Sequence, residues 1–207
     1  MSHVPTFLAF TASVVMSAAA AAGPVTEVNF LGQPLQYTKQ GAVDGCGVRL
    51  VGITAPVPGV KKVHTLDVSF NVANPGGGIV KGGLMTLSVQ ALAARKLDQA
   101  VEVPIKGLWL KAPGSPATTP AEGKVLRAVT HKHALMYGAR LPPVLALIEA
   151  MQEGKPIQVG FRVSADDMDH VFFGKVEMTD AETAQFTQCY SEWIGALNER
   201  LKDRVKQ

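Results

Sequence analysis

Cysteine is nearly absent from this 207-residue chain, which holds only Cys46 and Cys189. That scarcity excludes several chemistries. There is no CxxC unit to place two thiols in the local pair that thioredoxin-like exchange requires, and two sulfurs alone do not complete a structural zinc site. Charge and aromatics are also sparse, at 18% and 6%. Twenty basic against 17 acidic residues leave a net charge of +3, too small an excess to argue for nucleic acid. The aromatics do not interleave with basic residues as a base-stacking groove demands. Beyond the first 22 residues, nothing approaches the roughly 18 continuous apolar residues of a membrane-spanning helix.

Familiar catalytic patterns are missing as well. Gly76-Gly77-Gly78 followed by Lys81-Gly82-Gly83 has the wrong order for a phosphate loop, where Gly-Lys-Ser/Thr opens a helix. Here a lysine precedes two glycines and a strand, which suits a hairpin connection. Asp166-Asp167-Met168-Asp169-His170 lacks the regular oxygen spacing, central glycine and terminal Glu of a calcium loop. No HExxH is present, and Ser69 and Ser191 lie outside a nucleophile elbow. No local pattern is specific enough to carry a function onto named positions.

What is present begins at the amino terminus. Residues 7–16 form a short apolar centre and residues 18–22 are all alanine, the small-residue run a signal peptidase accepts. We read residues 1–22 as an export signal cleaved after Ala20, Ala21 or Ala22, although only His3 and the terminal amine precede the apolar centre as basic groups. A membrane anchor fits less well because the centre is short and lacks flanking anchors. No cysteine stands at the cleavage region, so a lipoprotein signal is not expected. Residues 23–207 then form one exported domain, about 185 residues, enough for a single core. Export implies an oxidising compartment, periplasmic or extracellular, in which Cys46 and Cys189 pair as a disulfide. Closing so long a loop restricts the unfolded chain by about 5 kcal/mol at most.

The remaining sequence reads as α+β: an antiparallel sheet or sandwich packed by one or two helices, including a long C-terminal one. Residues 35–39, 46–55, 64–73, 79–91 and 101–110 are expected strands. The clearest is 64–73, where Leu66, Val68, Phe70 and Val72 face one way and Asp67, Ser69 and Asn71 the other. Residues 91–95 could turn helical. A helix over 141–153 starts with Pro142 and Pro143 and stops at Gly154. Strands over 157–163 and 171–178 follow, joined by a polar loop at 164–169. The last helix opens on a capping box, Thr179 with Glu182, and carries an apolar stripe of Phe186, Cys189, Tyr190, Trp193, Leu197 and Leu201. Arg200, Lys202, Arg204 and Lys206, interrupted by Glu199 and Asp203, read as a solvated helix end.

The expected function is non-enzymatic: an exported protein that binds a macromolecular partner, an envelope or extracellular protein, or supports an envelope assembly. Pre-formed loops on a rigid scaffold supply the contacts, with Trp109, Asp166, Asp167, Asp169 and His170 as candidates. Tyr137 is a weaker aromatic candidate. The first alternative is a small metal-dependent hydrolase with His131, His133, Asp169 and His170 as ligands and Asp166 orienting a histidine or activating water. It requires these groups to converge in a cleft. The second is a small-ligand carrier with an apolar cavity between sheet and terminal helix. No catalytic residue and no cofactor is assigned.

Overall fold

The computed structural model describes residues 22–73, 76–127, 133–165 and 168–205. The expected signal segment up to residue 21 lies outside the described residues, as do Asn74, Pro75, His131, Asp166, Asp167 and Lys206.

The first half of the chain opens with β1 (Ala22–Glu27) and then folds as successive antiparallel strands: β2 (Phe30–Lys39), β3 (Ala42–Ile53), β4 (Lys62–Ala73) and β5 (Gly77–Ser88). β2 and β3 are longer than their patterning suggests. Their hairpin turns on Gln40 and Gly41, both at positive φ (53° and 81°), the backbone that a two-residue hairpin loop demands. A five-residue helix α1 (Val89–Ala93) follows β5, capped by the Ser88 hydroxyl accepting from Ala91 N at 3.0 Å.

The expected strand over 101–110 is two strands. β6 (Val101–Val103) pairs with β5 and β7 (Ile105–Lys111) with β10 (Ile157–Val163). Pro104 separates them: it cannot donate to a ladder, and the chain changes sheets there. Three strands absent from the sequence reading are β1, β8 (Leu126–Arg127) and β9 (Leu135–Ala139), the last on the edge of β5. Next come helix α2 (Leu141–Gln152), then β10, β11 (Asp169–Gly174), β12 (Val176–Glu177) and helix α3 (Asp180–Val205).

One sheet has the order β1-β11-β10-β7; the other, eight-stranded, has the order β12-β2-β3-β4-β5-β9-β8 with β6 as an eighth strand also paired to β5. They join at both sides. β1 runs on into β2 and β11 into β12, and these two bent strands lie parallel to each other, a departure from the otherwise antiparallel plan. Val28 N donates to Phe173 O at 2.9 Å and Phe30 N to Lys175 O at 3.1 Å, so the ladder continues around that corner. Gly174 makes the corner feasible, because a Cβ there would overlap the Val28 carbonyl. With β6 and β7 turning the other corner, the strands close a barrel-like circuit.

The inward rows fill the interior. Cys46, Val48 and Leu50 of β3, Leu66, Val68, Phe70 and Val72 of β4, Val159 and Phe161 of β10, and Phe172 of β11 are all buried. One end is closed by both long helices. Gly78 lets Val144 of α2 approach β5, and Val144, Leu147 and Ile148 join the common core. At the same end Cys46 is bonded to Cys189 of α3, a sequence separation of 143 with Cα atoms 5.9 Å apart. Phe186, Cys189 and Trp193 are buried against β2 and β3, whereas Leu201 is 50% exposed, so the apolar stripe ends one turn earlier than expected. The capping box forms: Glu182 Oε2 accepts from Thr179 N at 2.8 Å and Thr179 Oγ1 accepts from Glu182 N at 3.3 Å.

Candidate binding groove

The strand alternation that fills the barrel also decides what faces outward. On the eight-stranded sheet the outward row through the middle is Arg49, Ser69 and Lys81, directly opposed on β3, β4 and β5. The next row is Val51, Asp67 and Gly83. Towards α1, the outward residues Val63 and Leu87 are covered by Ala91 in a small second cluster. Beyond that cover the sheet is open, and a groove of about 300 Å³ lies over it.

Its floor is Arg49, Asp67, Ser69, Lys81 and Gly83; Leu35 and Tyr37 of β2 form one wall, and Met85, Glu102, His133 and Ala134 the other. Small residues keep the sheet surface low around the groove. A Cβ on Gly47, beside Leu35, would overlap Phe70 O and Asn71, so β3 and β4 approach closely there. A Cβ on Gly83 would make only ordinary contact, 3.4 Å from Ala134 Cβ. Ala134 therefore borders Gly83 at contact distance, and the small pair leaves the groove open beside it.

The polar groups of the floor are unequally served. Arg49 Nε and Nη2 donate to Asp67 Oδ1 and Oδ2 at 2.8 and 2.7 Å, a bidentate pair that raises the arginine pKa further. Glu102 Oε2 accepts from His133 N at 3.2 Å, tying the far wall to β6. Among the described residues, the half-buried Lys81 ammonium and the Ser69 hydroxyl have no protein partner.

The residues singled out from sequence fall on different surfaces. Trp109 and Asp169 do meet, on the outward face of the four-stranded sheet. The indole lies flat over Gly160, where a Cβ would overlap the ring. Trp109 Nε1 donates to Asp169 Oδ2 at 3.1 Å, and Arg162 Nε and Nη2 donate to the two oxygens of that carboxylate at 2.7 and 3.1 Å. Those bonds, Arg162 first, hold the Asp169 carboxyl below its ordinary pKa. His170, one residue on, points to the opposite side of β11. Its ring stands 5.9 Å from that of His64, and His64 in turn is 5.6 Å from Phe172, at the barrel end away from the helices. Burial lowers the His64 pKa, and the neighbouring His170 lowers it further.

His133 belongs to the groove, Asp169 to the outward face of the other sheet and His170 to the interior. No group of three or more metal-ligating side chains occurs among the described residues. The cleft convergence that the hydrolase alternative requires is absent for these three, and His131 lies outside the described residues. The cavity named for a ligand carrier is filled at the described side chains: Phe186, Cys189 and Trp193 are in the core between α3 and the sheet. Tyr137 is buried, its hydroxyl 2.8 Å from Thr118 Oγ1, and burial pushes its pKa up to about 12. Sequence reading placed Asp67 and Ser69 on one outward face but did not connect them with Arg49 and Lys81. The available signal was the interruption of β3 and β5 by outward glycines at Gly45, Gly47 and Gly83.

A disulfide is a bond of oxidising compartments, and no helix among the described residues is long and apolar enough to cross a membrane. Both are compatible with an exported protein. No protein-family model matches the chain, and neither a curated protein nor a solved structure matches it.

Proposed function

We propose that this is an exported, non-enzymatic binding protein whose outward groove on the eight-stranded sheet holds a segment of a macromolecular partner. Residues 1–22 direct export and are removed, and the working compartment is the periplasm or the extracellular space. The observation that carries the reading is the groove: a built concavity with a polar floor and two walls of mixed character. A rigid β surface with recessed, partly desolvated polar groups suits recognition. Trp109 and Asp169 satisfy each other and Arg162, so we assign them to holding the four-stranded sheet's surface and give the contact role to the groove.

The test is affinity capture by the mature oxidised protein from its native envelope, run beside the Gly83→Leu variant. The leucine projects into the groove from a position whose Cβ has room. A partner retained by the wild-type protein and lost by the variant is the expected result. No partner with either, or the same partner with both, overturns the groove as the contact surface.

A further inference from the structure

We infer that the groove recognises an extended peptide segment through a carboxylate side chain held over Lys81, an inference that rests on the groove being the contact surface. The argument is one of charge and of unused donors. The floor contains two cations and one carboxylate, and Asp67 is already engaged by two guanidinium N–H groups of Arg49. That leaves three of the five Arg49 donors, the Ser69 hydroxyl and the three Lys81 donors available. Arg49, Ser69 and Lys81 are successive cross-strand neighbours, so these donors lie along one line about 4.8 Å per strand. The half-buried Lys81 has no counter-ion among the described residues. A carboxylate opposite it would gain charge-assisted bonds where water competes less than at the open surface.

The shape argues for a peptide. From Leu35 on β2 to Glu102 on β6 the groove crosses four strand spacings, about 19 Å, which matches five to six residues of extended chain. Its volume of about 300 Å³ is at the lower limit for compact small-molecule sites. A chain lying across the strands with two or three side chains lowered into the floor fits both figures. Leu35 and Tyr37 on one side and Met85 and Ala134 on the other offer apolar contact to residues flanking the acid. The far wall already carries the Glu102 carboxyl group, so a second acid is disfavoured there and the single carboxylate is placed in register with Lys81.

The test uses the mature oxidised protein and three labelled peptides, acetyl-Ala-Val-Xaa-Val-Ala-amide with Xaa as Glu, Gln or Lys, read by fluorescence anisotropy. The Glu peptide is expected to bind about tenfold more tightly than the Gln peptide, and Lys81→Gln is expected to erase that difference. Lys81→Glu should reverse the preference toward the Lys peptide, with unchanged thermal unfolding showing that the fold is intact. Equal binding of the three peptides, no binding of any at millimolar concentration, or a Glu preference that survives Lys81→Gln overturns the inference. If Gly83→Leu still abolishes partner capture in that event, the groove remains the contact surface and only the carboxylate recognition fails.

Discussion

The outward faces of the two sheets use similar ingredients and arrive at opposite results. Each carries an arginine bidentate to an aspartate, an outward aromatic and a glycine that makes room. On the four-stranded sheet the aromatic fills the room: Trp109 covers Gly160, and its one N–H reaches the aspartate that Arg162 holds. On the eight-stranded sheet the aromatic stands at the wall, Gly83 is bordered only by the small Ala134, and Lys81 and Ser69 keep their hydrogen-bonding capacity. A glycine beneath an indole is filled by packing; a glycine beside an alanine leaves a groove. The distinction depends on which neighbour leans over the gap, and not on the residue types present.

The largest expected effect separates the two sheets by their tether to α3. Replacing both cysteines by alanine removes up to about 5 kcal/mol in the chain-entropy picture. Because α3 packs on β2 and β3, hydrogen exchange should accelerate in those strands, which carry the Tyr37 wall, and change little in β7 and β10. Uniform acceleration would mean that the staple supports both faces equally. Next, Gly160→Val should destabilise by about 3 kcal/mol, since the indole must lift off the sheet and lose that packing, with a red shift in tryptophan emission. An unshifted spectrum and unchanged midpoint in denaturant would show that Trp109 is not held as described.

Asp169→Ala strips Trp109 and Arg162 of their common acceptor, at a cost of about 1–2 kcal/mol because the pair is only partly shielded; chemical denaturation measures it. A smaller effect comes from the interior, away from both faces. Burial, and then His170, disfavour protonated His64 in the folded state. Its contribution to stability is therefore complete above about pH 6.5 and is lost as pH falls through the depressed folded-state pKa. His64→Gln should flatten the stability profile below pH 6.5, and an identical slope in wild type and variant would remove His64 from that account. The smallest effect on stability is Gly83→Leu, within about 0.5 kcal/mol, despite its expected loss of partner binding. If it destabilises as strongly as Gly160→Val, the two faces are alike after all.

The local elements were readable because their causes are local. The alternation of Leu66, Val68, Phe70 and Val72 requires a half-buried strand, and the Thr179–Glu182 spacing requires a helix start. Gly154, at a φ of 64°, ends α2 as its position after the apolar stripe suggested. The disulfide was legible too, since two cysteines on a strand and a helix face have no other local role. The elements that escaped depend on partners far along the chain. Leu135–Ala139 is short and becomes a strand because β5 offers an edge. β1 is a strand because β11 lies beside it in parallel.

By itself, then, the sequence determined which residues turn inward, where the helices begin and end, and that a sulfur bridge would join the last helix to an early strand. Side-chain alternation and capping are properties of neighbours along the chain. Only the tertiary structure decided that Asp169 and His170, adjacent in sequence, serve different compartments of the molecule, and that Arg49, Ser69 and Lys81 form one row. A strand sends successive side chains to opposite faces, and register sets which strands share a row. The functional surface arises from that register, across residues that the sequence keeps apart.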